Sequence, residues 1–238
     1  MARGIAIPAE AYRTLHNVAF FREWPEELLL NAAASCTVID ARAGQDVVRQ
    51  GQVLDGLYVI ASGEIAIGVQ NRDGRRYVRR YAGRDQVYGL VSMFDGKPTP
   101  QFFSTRVTSR LIFVPKAVVL EALERHPVLW WGVMAWWTEM HRGLLAGLHE
   151  MAFDTLRVRL VRSLLAYARQ FGMHELPATP LELRINQDEL ARLLGMTRQS
   201  VSREVKGLER DGLIKIVYGG LVLKAPHELV RLVELGSG

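Results

Sequence analysis

Residues 186–223 read NQDELARLLGMTRQSVSREVKGLERDGLIKIVYGGLVL, and they decide how the rest of the chain is read. Asn186 is a good helix N-cap, and Glu189 three residues later completes a capping box. Leu190, Leu193 and Leu194 form an apolar face, and Gly195 stands where a helix end takes a left-handed residue. Thr197 then caps a second helix. Val201, Val205 and Leu208 recur at i, i+4, i+7 and make a buried stripe. Gln199, Ser202, Arg203 and Lys206 share another face, with Arg198 at the entry. Long donors, a hydroxyl and an amide suit base edges and phosphates, and no carboxylate shares that stripe. Behind the helices, two apolar runs flank Gly219-Gly220, a two-residue hairpin signal. The expected unit is a winged helix-turn-helix.

A cationic helix face alone is usually just solvated. The full order of cap, helix, glycine turn, cationic helix and Gly-Gly hairpin is what points to DNA. The stretch TRQSVSREVKGLERDGLI with the hairpin behind it resembles the C-terminal domain of the catabolite-activator and fumarate–nitrate-regulator (Crp/Fnr) family of bacterial transcription factors. The resemblance implies that Arg198, Gln199, Ser202 and Arg203 face bases. Gln199 departs from a glutamate frequent in the family. Glutamine suits adenine, whereas glutamate accepts from cytosine, so the half-site is expected to differ there. Arg198 and Lys206 equally suit phosphate clamping, which positions without specifying.

At 238 residues the chain is long enough for two modest domains. Hydrophobic residues at 49% and charged residues at 23% are ordinary for a globular protein. The net charge of +5 mildly favours a polyanionic partner. One cysteine, Cys36, excludes an intramolecular disulfide and a cysteine-ligated iron–sulfur cluster within one chain. No run is apolar enough to span a bilayer and no secretory leader opens the chain, so a cytoplasmic protein without a membrane partner is expected.

Residues 8–34 read as short helices, after which VIDA, DVVRQ, LYVIAS, EIAIGVQ, RYVRRYA and RLIFVP alternate with glycines. Such spacing argues an antiparallel sandwich or barrel, with Asn71-Arg72-Asp73-Gly74 as the plainest hairpin tip. The segment AGQDVVRQGQVLDGLYVIASGEIAIGV resembles the β-roll of cyclic-nucleotide-binding domains, which share a jelly-roll core with the cupins. The expected fold is α+β, in three parts: a sensor roll over 1–114, a dimerisation helix over 115–152 and the winged helix-turn-helix over 153–238. A Pro-bearing linker, MHELPATP, falls at residues 173–180.

After Pro115 the period turns helical. Trp130, Met134, Trp137, His141, Leu144, Leu148 and Met151 keep an a/d heptad seam for about three heptads. A strict 3.5-residue repeat is best explained by a partner helix, most simply the same helix of a second chain. Trp131 and Trp136 lie off the seam and are expected to pack back onto the roll.

The effector is less readable. Family members that bind cyclic AMP carry a glutamate for the ribose hydroxyl and an Arg-Ser pair for the cyclic phosphate. Here Gly89, Leu90, Val91 and Ser92 occupy the first motif, with Leu90 in the glutamate's place. Thr99 falls in the second region, which lacks Arg-Ser, and Leu144 and Leu145 replace small hydroxyl residues on the dimer helix. Burying a phosphate there would cost several kcal/mol. Cyclic AMP is not expected, and the pocket is apolar or closed.

None of His16, His126, His141, His149, His174 and His227 lies between Cys36 and Val114, where a cupin-type metalloenzyme would hold its metal. No catalytic residue and no metal site are assigned. His141, at an a position of the seam, reads as a register-fixing polar residue, with a haem ligand as the minor reading. The resulting expectation is a homodimeric regulator, not an enzyme. It would place two recognition helices on a near-palindromic site in double-stranded DNA, and meet RNA polymerase if it activates. A ligand-sensing subunit that regulates another protein is the main alternative.

Overall fold

The computed structural model describes residues 9–171 and 180–236. The expected linker, residues 173–180, and His174 lie outside the described residues, save Pro180. In chain order the elements are α1 (Ala9–Asn17), α2 (Glu26–Ser35), β1 (Thr37–Ala41), β2 (Asp46–Val48), β3 (Gly56–Ser62), β4 (Ile65–Gln70), β5 (Arg76–Ala82) and β6 (Val87–Tyr88). There follow α3 (Leu90–Asp95), β7 (Phe102–Thr105), β8 (Ser109–Pro115), α4 (Lys116–Arg125), α5 (Trp130–Phe153) and α6 (Leu156–Phe171). The chain finishes with β9 (Leu181–Leu183), α7 (Gln187–Leu194), α8 (Arg198–Arg210), β10 (Ile214–Val217), β11 (Gly220–Leu223) and α9 (Pro226–Leu235). Contacts divide the chain into two units. The first holds the residues up to Gln70 with Tyr81–Arg142, and the second holds Asn71–Arg80 with the residues from Gly143 onward.

Two four-stranded antiparallel sheets form the roll, in the orders β1-β8-β3-β6 and β2-β7-β4-β5. The runs read from the sequence become β1 to β5 and β8. The hairpin tip at Asn71 is a real turn: the Asn71 side chain accepts from the Arg75 amide at 2.8 Å. Two apolar cores result. One lies inside the sandwich, where Ile60, Ile65, Ile67, Leu111, Tyr58, Tyr88 and Phe103 pack together. The other joins the sheet to the helices: Leu57, Val59, Ile112 and Val114 meet Leu15, Phe21, Leu29, Ala32 and Leu123. Strand β3 serves both because successive side chains point to opposite faces.

Residues 115–152 hold two helices, α4 and α5, joined through a short 3-10 turn at Pro127–Leu129. On α5 only Val133 is buried. Trp136 packs partly against the helix-side core, as expected. Trp131 does not: it is 76% exposed. A helix presents only one stripe to its neighbour, and Val133 and Trp136 already occupy that stripe, three residues apart.

In the second unit, α6 to α9 surround the three-stranded sheet β10-β11-β9. The hairpin turn sits one residue earlier than the Gly-Gly pair indicated. Val217 pairs with Gly220, so Tyr218 and Gly219 make the turn, and Gly219 takes the left-handed φ of +73°. Gly220 is a strand residue, required for another reason. A Cβ there would stand 2.2 Å from the Leu183 carbonyl oxygen, across the β11–β9 pairing. Gly220→Ala should therefore push β9 off the sheet and cost roughly 3 kcal/mol of stability, measurable as a lower urea midpoint at unchanged slope. Gly212→Ala, whose Cβ meets nothing within 4 Å although φ is +75°, should cost less.

Candidate nucleic-acid interface

The helix-turn-helix begins with the capping box read from the sequence. Asn186 Oδ1 accepts from the Glu189 amide at 3.0 Å, and Glu189 Oε2 accepts from the Asn186 amide at 2.8 Å. The box satisfies two donors that a helix start otherwise leaves orphaned. Gly195 ends α7 in the left-handed region at φ +66°. Thr197 Oγ1 then accepts from the Ser200 amide at 3.1 Å and opens α8. Leu190 and Leu194 are buried, as are Val201, Val205 and Leu208.

Burying the Val201–Val205–Leu208 stripe turns the other face outward. Thr197, Arg198, Gln199, Arg203 and Lys206 are exposed, and Ser202 is half-buried between them. Arg198 Nε also lies 3.4 Å from Asp188 Oδ1 of α7; both side chains are mostly exposed, so the pair contributes little. Arg210 extends the stripe. It is exposed and follows Gln199, Arg203 and Lys206 at the steps of four and three residues that keep one helix face. That spacing was available in the sequence, yet reading the helix only to Lys206 missed it.

The helix is held from behind. Arg157 of α6 forms an ion pair with Asp211 at the end of α8, passing Gly207, where a side chain's Cβ would come within 3.2 Å of its guanidinium. Arg159 donates to the Leu194 carbonyl at 2.9 Å and fixes the end of α7. On the other side, Glu209 Oε1 accepts from the Ile216 amide of β10 at 2.8 Å.

The residues expected around an effector pocket are placed differently from one another. Leu90 is buried in the core that faces the helices, and the interior of the sandwich lies on the other side of the sheet. Gly89 opens α3 with φ +102°, and Val91 is exposed. Ser92 is buried and donates to the Lys97 carbonyl. Thr99 is buried in the loop between α3 and β7, its amide donating to the Gln52 carbonyl at 2.8 Å. Leu144 and Leu145 are exposed on α5. The sandwich interior is filled by aromatic side chains. Ring centroids of Tyr58 and Phe113 lie 5.2 Å apart, those of Tyr88 and Phe103 5.7 Å, and those of Tyr58 and Phe103 6.3 Å. Burial pushes the Tyr58 hydroxyl above its ordinary pKa, and the Tyr88 hydroxyl donates to Gln86 Oε1 at 2.6 Å. Among the described residues no three His, Cys, Asp or Glu side chains are grouped so as to hold a metal ion.

Comparison with known proteins fits this arrangement in both units. The Cyclic nucleotide-binding domain family matches residues 38–126, and the Crp-like helix-turn-helix domain family matches residues 158–232. This chain belongs to the Crp/Fnr family. It is a Crp-like transcription regulator with a cyclic-nucleotide-binding domain and a helix-turn-helix DNA-binding domain, and not an enzyme. A Crp/Fnr relative, the CRP-like cAMP-activated global transcriptional regulator of Mycobacterium tuberculosis, is 24% identical over 193 residues, covering 81% of this chain and 86% of its own. The c-di-GMP-responsive global regulator CLP of Xanthomonas campestris superposes with a TM-score of 0.70 at 23% identity, over 81% of this chain and 95% of that one. A Crp/Fnr-family transcriptional regulator of Thermus thermophilus gives 0.62 at 23% identity, over 83% and 98%.

The exposed stripe of α8 makes a sharp test of which residues read bases. Arg203→Ala leaves the buried stripe intact and should weaken the preferred site by about 1–3 kcal/mol per half-site, relaxing preference at one guanine. Lys206→Ala should weaken all sequences alike and flatten the salt slope. Gln199→Glu should move the preference at one base pair towards cytosine. Binding-site selection on the wild type and the three variants at one salt concentration reads all three outcomes.

Proposed function

We propose that the protein acts as a homodimeric, sequence-specific regulator that binds a near-palindromic DNA site and does not respond to cyclic AMP. The observation that carries the dimer is the surface of α5. Trp130, Met134, Trp137, Leu144, Leu148 and Met151 are 42–63% exposed in the single chain, and His141 on the same seam is also exposed. An apolar stripe three heptads long has no reason to face water, and a second copy of the same helix covers it with matching knobs and holes. His141 then meets its own counterpart across the seam and fixes register; its service as a haem ligand is the minor reading. Two recognition helices in a two-fold dimer fit successive major grooves.

The effector reading rests on side-chain chemistry. Leu90 brings no carboxylate to a ribose, and the sandwich interior is occupied by Tyr58, Tyr88 and Phe103. Both features favour a regulator that works without an effector, or one that senses an apolar ligand. A regulator of this kind works in the cytoplasm, and as an activator it would also contact RNA polymerase. Among the described residues no helix is long and apolar enough to cross a membrane.

Sedimentation at micromolar concentration should show a dimer. Trp137→Asp combined with Leu144→Asp should give a folded monomer, because each carboxylate would sit in a desolvated interface. A monomeric wild type would sink the dimer. Calorimetry with cyclic AMP should show no binding at physiological concentration, and a micromolar dissociation constant would overturn the effector reading alone.

A further inference from the structure

Between α6 and α9 the second unit leaves an open groove of about 650 Å³, within the range of small-molecule sites. Val158 of α6, Leu213 just ahead of β10, and Leu232 and Leu235 of α9 give it an apolar lining. Arg157, Glu228 and Arg231 are the charged residues beside them. The two helices meet closely at one place. A Cβ at Gly236 would stand 2.6 Å from Val158 Cγ2, so a glycine is what lets the end of α9 lie against α6. Yet the apolar face of α9 is not used up. Leu229 is fully buried, Leu232 is half-buried and Leu235 is 86% exposed. Leucines that lose their cover one after another along a helix line a space the fold itself does not fill.

The charges decide what kind of molecule suits the groove. Two guanidiniums against one carboxylate leave its lining net positive. Arg231 Nη1 donates to Glu228 Oε1 at 3.0 Å, but both side chains are mostly exposed and the pair contributes little. Arg231 can therefore turn to another carboxylate at small cost. Arg157 has a second duty. It holds Asp211 at the end of α8, so one side chain belongs both to the groove and to the support of the recognition helix. Asp211 needs that partner, because an anion at a helix C-terminus opposes the helix dipole. A neutral ligand would leave the excess cation unmatched, and a small polar anion would leave the leucines wet. An anion with a hydrocarbon chain satisfies both.

We infer that the groove is an effector site for an aliphatic carboxylate: the chain lies along Val158, Leu213, Leu232 and Leu235, and the carboxylate accepts from Arg231 and Arg157. Occupation draws Arg157 away from Asp211 and loosens the hold on α8, so the ligand weakens DNA binding. The site gives the apolar-ligand reading of this regulator a place outside the roll. It rests on the DNA-binding reading for its consequence alone, since the ligand is measured on the free protein.

The test uses the full-length protein with decanoate as the probe, and decanol and butyrate as controls for the head and the chain. Calorimetry should show one decanoate bound per chain, with both controls at least about tenfold weaker, the worth of one hydrogen bond between charged groups. Arg231→Ala and Leu235→Asp change exposed side chains, so the fold should hold, which circular dichroism verifies. Each should weaken decanoate about tenfold and, without ligand, bind DNA as the wild type does. Saturating decanoate should weaken the wild type on its selected DNA site about tenfold, and by the reciprocity of coupled sites DNA should weaken decanoate equally. At the same concentration both variants should keep their DNA affinity. Vesicles of phosphatidylglycerol separate a free carboxylate from a membrane surface, and the protein should not sediment with them. Decanoate held equally well by both variants would overturn the inference, as would no binding, sedimentation with the vesicles, or binding that leaves DNA affinity unchanged. A wild type that binds no duplex at any salt concentration would remove the DNA-binding reading and the effector role with it, and calorimetry would still decide whether the groove takes the carboxylate.

Discussion

The second unit is organised by the burial of three side chains on one helix. Val201, Val205 and Leu208 are wholly inaccessible, and their burial is worth several kcal/mol together. That burial fixes the rotation of α8 about its own axis, because a helix has only one way to hide a stripe of period 3.6. Everything polar on the opposite side follows as a geometric consequence. Arg203, Lys206 and Arg210 face water because Val201, Val205 and Leu208 do not. Sliding the stripe by one residue would rotate the cationic face by more than a quarter turn and place Glu204 beside it.

The roll shows the same economy applied to a sheet. Strand β3 buries Leu57 and Val59 against the helices and Tyr58 and Ile60 inside the sandwich, so one strand joins two cores. Leu90 adds to the helix-side core. A leucine at that place strengthens packing at the cost of any polar recognition from the same position. The interior aromatics act likewise. Rings at offset and tilted separations of 5–7 Å are mutually favourable, so the space between the sheets is held by cohesion among Tyr58, Tyr88 and Phe103.

Much of this was legible in the sequence, for identifiable reasons. The capping box, the glycine that ends α7 and the Thr197 cap are local devices, decided by residues within one helical turn of each other, and their bonds stand as read. Patterns of period two and 3.6 found the strands of the roll and the stripe on α8. Sequence failed where a neighbour from elsewhere in the chain decides. Gly219-Gly220 looks like a turn by composition, but β9 approaches Gly220 so closely that this glycine belongs to the sheet and the turn moves to Tyr218. Trp131 is apolar, yet only Val133 and Trp136 find the roll's core. The short strands β6 and β7 carry too few residues to show a period at all. The residues expected around an effector pocket share a sequence neighbourhood, and in the fold Leu90 lies in a core, Val91 at the surface and Thr99 in a buried stretch of loop.

The junction between α5 and α6 shows how two helices are coupled with almost no chain between them. Only Asp154 and Thr155 separate Phe153 from Leu156. Thr155 Oγ1 accepts from the Val158 amide at 3.3 Å and starts α6. The Asp154 carboxylate, with a side chain only 1% exposed, accepts from Arg162 Nε at 2.6 Å. One turn earlier, burial pushes Glu150 above its ordinary pKa, while the Arg162 guanidinium pulls it back down. A buried pair of this kind adds little net stability, but separating the partners leaves a charge stranded out of water at a cost of about 3–5 kcal/mol. The pair therefore acts as a constraint on direction. The end of α5 cannot tilt away from α6 without stranding Asp154, so α6 must follow it. Because Arg157 of α6 also grips Asp211 at the end of α8, a movement of that junction reaches the recognition helix through two ion pairs and a packed core.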